Sequence, residues 1–472
     1  MKLLKRLSNS TLILLLCFAL GGLAGTFAAP IGQFAFFIGQ IYLALVSMAA
    51  VPLLVVAMFF GLRQLMLLSH PGLRISTMLT LSLGLVFAAA LVGMLTGMVV
   101  APGLHLSDAA HRQLGQLVLQ SASDAEDMRM KLFGTDSAGA ASSGLALRDV
   151  VPDNFYRVLA GGHALGILTG TILFGMAFAA LSGEQTRVLH GVFESIYRSL
   201  ETLIEYANLL LPVLAFGTAA HLVEQTEHET LDAMSGFLVS FLVCTAVLST
   251  VIVVLIAARA RASLVRVAAA LRAPMLVGLT SGNASATIPH TIEAMSTRLG
   301  FSRGVAELVV PFGSVFVRAG SALYFTLATV FIANLYDRPL GVGELLLTAA
   351  AATVAAFASA GRNGVASISY VGIVLSLLHL PVEAAGVLLI AVDLLCDGPR
   401  NLLSLLSVCT VVALVSAGLP AERAAAPEHG VRPEAAAVLR FTFTRGQLVL
   451  ATGCLVAAAS LIVLMGVGVG AK

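Results

Sequence analysis

The chain has 472 residues, of which 58% are apolar and 11% charged, and its formal net charge is +2. Soluble domains carry roughly 25% charged residues, so the composition excludes an ordinary soluble fold and predicts a polytopic membrane protein. The near-neutral balance offers nothing to nucleic acid. Apolar runs of bilayer length or longer lie near 11–29, 34–67, 76–101, 157–182, 188–223 and 231–258, given that a span needs about 20 residues. Several are longer than a bilayer requires, which predicts tilt or a break. The first run, Leu12 to Ala29, reads as a retained transmembrane helix rather than a signal peptide, because a second run from Phe34 to Leu62 follows almost at once. Basic residues bracket the spans: Lys2, Lys5 and Arg6, then Arg63 and Arg74, then Arg259, Arg261, Arg266 and Arg272. They predict a cytoplasmic N-terminus and a return to the cytoplasm at the last cluster. His105 to Asp153 is rich in Ser, Gly, Asp and Glu, and reads as a long extracytoplasmic insertion with a short helix near 108–131. The five cysteines (Cys17, Cys244, Cys396, Cys409, Cys454) lie in apolar stretches without paired spacing, so they read as packing residues.

Beyond Arg272 the apolar segments are interrupted by two small-residue tracts, Thr280–Pro289 and Ala358–Ser367. Each has apolar arms too short to span separately. The pattern predicts re-entrant hairpins whose tips line a cavity, since lipid cannot satisfy exposed backbone. A long span follows each hairpin, near 303–335 and 380–418, and this repeated order suggests an inverted repeat with a midplane site. Within the last span Asp393, Asp397 and Arg400 fall at i, i+4 and i+7, on one helix face. Ionisable groups at membrane depth are costly unless paired or facing a cavity. That face is therefore either a binding site or a structural ion pair that holds helices together. His290, after the first hairpin tip, is a packing or capping residue or a member of a proton relay. The chain turns polar from Ala421 to Pro433, and Leu448 to Val469 forms one more apolar run, a ninth span or an interfacial helix.

From about Pro274 to Ala417 the residues resemble the dicarboxylate/amino acid:cation symporter family, the glutamate and aspartate transporters. Thr287-Ile288-Pro289 resembles the tip of that family's first hairpin. Gly320-Ser321-Ala322-Leu323-Tyr324, followed by Phe331-Ile332-Ala333-Asn334, resembles the unwound region of its seventh helix and the segment after it. Ser359-Ala360-Gly361 resembles the second hairpin, the Asp393, Asp397, Arg400 face matches the eighth helix, and Gly93 and Pro102-Gly103 agree with the third. The resemblance implies an all-α fold of eight transmembrane helices and two re-entrant hairpins, with helices one, two, four and five as a homotrimeric scaffold. The rest would move as an elevator in a bacterial-type inner membrane. On that basis residues 1–75 and 157–229 are scaffold, 76–103 and 230–418 are the transport domain, and 104–156 is the insertion. Residues 419–440 are a cytoplasmic linker and 441–472 an extra C-terminal helix. Arg400 would hold a side-chain carboxylate, Asp397 an amino group and Ser404, which replaces the usual Asn, a main-chain carboxylate. Asn401, Ser285, Ser321, Gly361, Arg362 and Asn363 complete the substrate-binding set. The implied partners are a small acidic amino acid or dicarboxylate and the lipid bilayer, and no enzymatic cofactor is implied.

The departures concern the coupling ion. Val317-Arg318-Ala319 stands where the family reads Asn-Met-Asp, Val408 replaces an acid, and Leu85-Val86 aligns with a Thr-Ser pair. Sodium needs several oxygen ligands, so at least two family sodium sites look dismantled. Arg318 would supply the missing positive charge by neutralising Asp393, while Arg362 helps to close the gate over an anion. A carrier driven by protons, a facilitator, an exchanger or a ligand-sensing paralogue without transport are the open outcomes. Two enzyme readings fail. Asp393 and Asp397 lie on one helical turn rather than facing each other from separate helices, as an intramembrane aspartyl protease needs, and zinc-enzyme spacings are missing.

Overall fold

A computed structural model of the chain describes residues 11–27, 29–67, 71–104, 114–115, 154, 156, 164–179, 183–225, 228–280, 284–360 and 370–416. Among these residues regular structure is entirely helical. The order is α1 Thr11–Phe27, α2 Ala29–Leu67, α3 Pro71–Val100, α4 Ala164–Ala179, α5 Gly183–Ala207, α6 Leu211–Gln225 and α7 His228–Ala260. Then come α8 Leu264–Thr280, α9 Ile288–Glu293, α10 Arg303–Phe316, α11 Ala319–Leu335, α12 Val342–Ala358, α13 Val371–Leu377 and α14 Val382–Val415. Among the described residues five segments are long and apolar enough to cross a membrane: Pro30–Leu62, Arg74–Val100, Met234–Ala260, Arg303–Leu335 and Leu395–Val415. At 1.5 Å per residue α2 extends about 58 Å, roughly twice the hydrocarbon thickness. Most of residues 108–131, and all of 419–472, lie outside the described residues, so the helices expected there have no structural counterpart to report.

Helices lie on either side of the two interrupted tracts. The 17-residue α8 packs against the 3-10 turn Ala284–Thr287, α9 and the π-helical turn Ala294–Arg298. Likewise α12 packs against α13. A 17-residue helix is about 26 Å long, so each chain-reversing pair has the short arms of a hairpin. Arg338 holds the base of the second pair, donating to the carbonyl of Leu378 and, at 3.3 Å, to Glu344 Oε1.

Helix α14 lies at the centre of one group of helices, packed by α3, α7, α8, α10 and α11. Its final carbonyls lack intrahelical donors, and Arg74 at the start of α3 donates to Val415 O at 2.7 Å. At the other end of α3, Pro102 O accepts from Asn334 Nδ2 at 3.1 Å, which gives the Asn of the Phe331–Asn334 stretch a packing role. Helices α1, α2, α4, α5 and α6 pack chiefly on one another, and α2 reaches the first group mainly through α10.

The span Arg303–Leu335 is broken in its middle. Val317 (φ −83, ψ 74) and Arg318 (φ −94, ψ 51) leave helical geometry between α10 and α11. The break therefore precedes the Gly320–Tyr324 stretch, where the resemblance placed it, and Gly320 to Tyr324 are helical. Gly320 is needed for a different reason. A Cβ there would fall 1.9 Å from the carbonyl oxygen of Arg400, so only glycine lets the start of α11 lie against the middle of α14.

Candidate functional site

The site is built where the α10–α11 break meets α14. Pro399 sits inside α14, where it cannot donate to the preceding turn. Gly398 beside it accepts the close approach of α8, since a Cβ there would lie 2.4 Å from Leu279 O. The ionisable face of α14 thus meets the hairpin arm α8 and the break at Val317–Arg318 through backbone contacts.

Arg400 is 2% exposed. Its Nη2 donates to Asp393 Oδ1 at 3.0 Å and to Asp397 Oδ1 at 2.7 Å, and its guanidinium lies 5.0 Å from the centroid of the Tyr324 ring. Asn401 Nδ2 donates to the other Asp397 oxygen at 3.1 Å. The Asp393 side chain is 7% exposed and that of Asp397 18%, so Asp397 is the acid a ligand can reach. Nη1 of Arg400 and the phenolic oxygen of Tyr324 are buried with no hydrogen-bond partner among the described residues. A buried donor left unmade costs about 1–3 kcal/mol, and a guanidinium presents its nitrogens as a fork suited to a carboxylate. The unmatched Nη1 therefore marks where an anion would gain most.

Arg318 is 4% exposed, and the charges of Arg400 and Asp397 lie close enough to act on it. Two guanidiniums and two carboxylates thus share the site, a formally neutral set. Its pairing differs from the sequence expectation: Arg400 itself bridges Asp393 and Asp397, instead of leaving Asp393 to Arg318. The reason is helical spacing, because i+7 and i+3 neighbours lie along one face within reach of a single long side chain.

Ser404 is committed to backbone. Its hydroxyl donates to Arg400 O at 2.9 Å and accepts from Gly320 N–H at 3.1 Å. In this conformation it has no proton to offer a carboxylate, and it joins α14 to the start of α11. Ser321 is buried in α11. Ser285 lies in the turn Ala284–Thr287, its side chain outside the described set, and Gly361, Arg362 and Asn363 lie outside the described residues altogether. His290 is buried in α9, with Glu293 and Arg298 as its charged neighbours.

Val317 and Val408 line one small cavity with Gly313, Thr287, Asn401 and Ser404. Its water-sized void is about 20 Å³, room for roughly one water. The oxygens around it among the described residues belong to neutral side chains and backbone, and no described carboxylate lines it. Leu85 and Val86 sit in the packed core, Val86 fully buried. Sodium, which exchanges its hydration shell for several oxygens, has a poor donor set at these positions. In the sequence Tyr324 stands out only as part of the Gly320–Tyr324 motif. The signal that could have assigned it a place is the buried Arg400, which needs an aromatic face or an acid on a neighbouring helix.

Comparison with known proteins identifies the lineage. The model of the sodium:dicarboxylate symporter family matches residues 11–417, and the chain belongs to that family, one of transporters rather than enzymes. It is 30% identical over 280 residues to C4-dicarboxylate transport protein 2 of Ralstonia nicotianae, covering 58% of this chain and 62% of that protein. It is 26% identical over 407 residues to the C4-dicarboxylate transport protein of Bordetella avium, 85% of this chain and 87% of that one. The corresponding protein of Stenotrophomonas maltophilia is 25% identical over 402 residues, 84% and 85% of the two chains. Membership and the five membrane-capable segments together make this a multi-pass membrane protein.

Proposed function

We propose that the chain is a secondary transporter for an acidic amino acid, aspartate or glutamate, or a related dicarboxylate, and that it works with little or no dependence on sodium. The observation that carries this reading is the buried Arg400 with its unmatched Nη1 beside the partly open Asp397. A substrate carboxylate would take the guanidinium and a substrate ammonium would take Asp397, while the buried Tyr324 phenol offers a further donor. The low sodium dependence is supported by Val317 and Val408 in the cavity and by Arg318 at the break. In this reading Arg318 supplies a permanent positive charge near Asp397 where relatives would recruit an ion, with a proton as the remaining candidate for coupling.

The movement proposed is an elevator: residues 76–103 and 230–418 slide against a scaffold of 1–75 and 157–229 within a homotrimer. The N-terminus is cytoplasmic and the membrane is a bacterial inner membrane. Residues 104–156, 419–440 and 441–472 are the extracytoplasmic insertion, the cytoplasmic linker and the extra helix. The grouping of α3, α7 and α8–α14 around one another supports this division. A second reading, C4-dicarboxylates without an amino group, is favoured by the names of the relatives. Uptake of labelled aspartate, glutamate and succinate into proteoliposomes, with sodium and pH gradients varied separately, decides among these. Aspartate or glutamate uptake unchanged in choline medium supports the first reading. Succinate uptake alone selects the second, and binding without flux selects a sensor.

A further inference from the structure

Helix α7 carries a continuous exposed apolar stripe. Val239, Val243, Val247, Val251, Val254 and Leu255 are each between 40% and 59% exposed, on the side left open by the neighbours of α7. Their steps of four and three keep them on one face. From Val239 to Leu255 the rise is about 24 Å, which fits within the roughly 30 Å of bilayer hydrocarbon. With α7 as a bilayer span, this is the face that lipid chains would cover, and where it ends would fix where headgroups begin.

It ends in arginine. Arg259 lies one turn past Leu255, about 6 Å further along the axis. Arg261 follows in the connecting turn with a left-handed backbone (φ 48), and Arg266 lies in the first turn of α8. All three are exposed, and their guanidiniums make no hydrogen bond or ion pair with any described residue. The acid Glu293, which acts on Arg272 of α8, is paired with Arg298 at 2.8 Å. Between the arginines, Leu264 is 50% and Val265 80% exposed. Three uncompensated cations within eight residues repel one another, and two bare aliphatic side chains among them are poorly placed in water. Both defects disappear at a bilayer interface, where aliphatic groups enter the acyl boundary and guanidiniums reach phosphate oxygens.

We propose that the turn Arg259–Arg266 is a docking surface for anionic phospholipid headgroups, held by the guanidiniums of Arg259, Arg261 and Arg266 with Leu264 and Val265 inserted beside them. Basic residues at the cytoplasmic ends of spans are general. The specific content is that these three concentrate acidic lipid locally. The proposal rests on α7 being a bilayer span and not on the substrate, so its failure would leave the transport reading intact.

The chain contains no tryptophan, so a Val265→Trp variant reports this turn alone. The full-length variant is reconstituted into mixed phosphatidylcholine and phosphatidylglycerol vesicles of fixed composition, with bromine on one lipid class or the other. Brominated phosphatidylglycerol is expected to quench as though enriched roughly fivefold near the probe, the effect of about one arginine–headgroup contact. Changing Arg259, Arg261 and Arg266 together to Gln should bring the two lipids to parity, while changing all three to Lys should keep the preference. Equal quenching by both lipids before any arginine is changed overturns the proposal. So does a phosphatidylglycerol preference that survives the Gln variant.

Discussion

Replacing Arg400 with Met tests whether the ion pairs of α14 serve structure, substrate or both. One nitrogen of Arg400 holds Asp393 at 3.0 Å and Asp397 at 2.7 Å, so the substitution strands two carboxylates at once. Breaking a buried pair by removing one partner costs about 3–5 kcal/mol, because the remaining charge is left uncompensated. Asp393, 7% exposed, bears most of that cost; Asp397, 18% exposed, keeps Asn401. Arg400→Met is therefore expected to lose about 3–5 kcal/mol of unfolding free energy in detergent, and Asp393→Asn in that background should recover a large part of it. The double variant should still bind no aspartate or glutamate, because the guanidinium that meets the carboxylate is absent. Denaturant unfolding of the four members of the cycle, with ligand binding measured on each, separates the two roles. If Asp393→Asn shifts stability equally with and without Arg400, the pair is not coupled and the assignment fails. If the stable double variant binds acidic substrate like the parent, Arg400 is structural alone.

Asp397→Ser should move preference from aspartate toward succinate in competition assays, since it removes the ammonium partner and a charge that repels a second carboxylate; unchanged preference would return Asp397 to a structural role. Val408→Asp places a carboxylate in the cavity beside Val317 and Ser404. Sodium, compared with choline at equal ionic strength, should raise the melting temperature of that variant and leave the parent unmoved. A clear sodium-specific shift in the parent would sink the sodium-independent reading. Gly320→Ala sets a Cβ 1.9 Å from Arg400 O, an overpacking expected to cost at least about 1–3 kcal/mol and visible as a lowered unfolding midpoint with loss of transport. Arg318→Met should weaken acidic-substrate binding, since the site becomes net negative before any anion enters, and tighter binding would contradict that charge argument.

The helices and chain reversals were legible because their signals are local. Apolar length marks the spans, and Thr280–Pro289 and Ala358–Ser367 mark the interruptions without reference to anything distant. The Asp393, Asp397, Arg400 face was legible for the same reason, as three positions of one helix. Partner choice was not. Arg318 and Arg400 are both cations near Asp397; the i+7 spacing puts Arg400 within reach of Asp393, but where the α10–α11 break sets Arg318 is fixed only by the tertiary fold. The family resemblance implies that Ser404 is a ligand, yet its hydroxyl is occupied by Gly320 N–H from another helix and by Arg400 O. Gly320 was likewise read as a point of unwinding. Its reason for being glycine is a carbonyl 80 residues away in sequence, a contact no local pattern encodes.

On the proposed reading, in which Arg318 takes the place of a recruited ion, the exchange has a consequence beyond affinity. An ion that binds with substrate and leaves with it adds its own gradient to the driving force, whereas Arg318 travels with the chain in both directions and adds none. The neutral set of Arg318, Arg400, Asp393 and Asp397 can cross the bilayer empty at little electrostatic cost, while entry of an anion leaves the loaded set negative and costly to move through low dielectric. On that reading Arg318 would allow the empty carrier to return but would not by itself neutralise the loaded one. On the transport reading the loaded state needs a proton on one of the acids or on the substrate. Net uptake of aspartate should then rise with an inward proton gradient at zero sodium, while exchange of aspartate for aspartate, which leaves the set loaded in both directions, should be insensitive to the direction of that gradient. Uptake indifferent to an imposed proton gradient, with the membrane potential clamped, would refute this charge argument and leave a facilitator in its place.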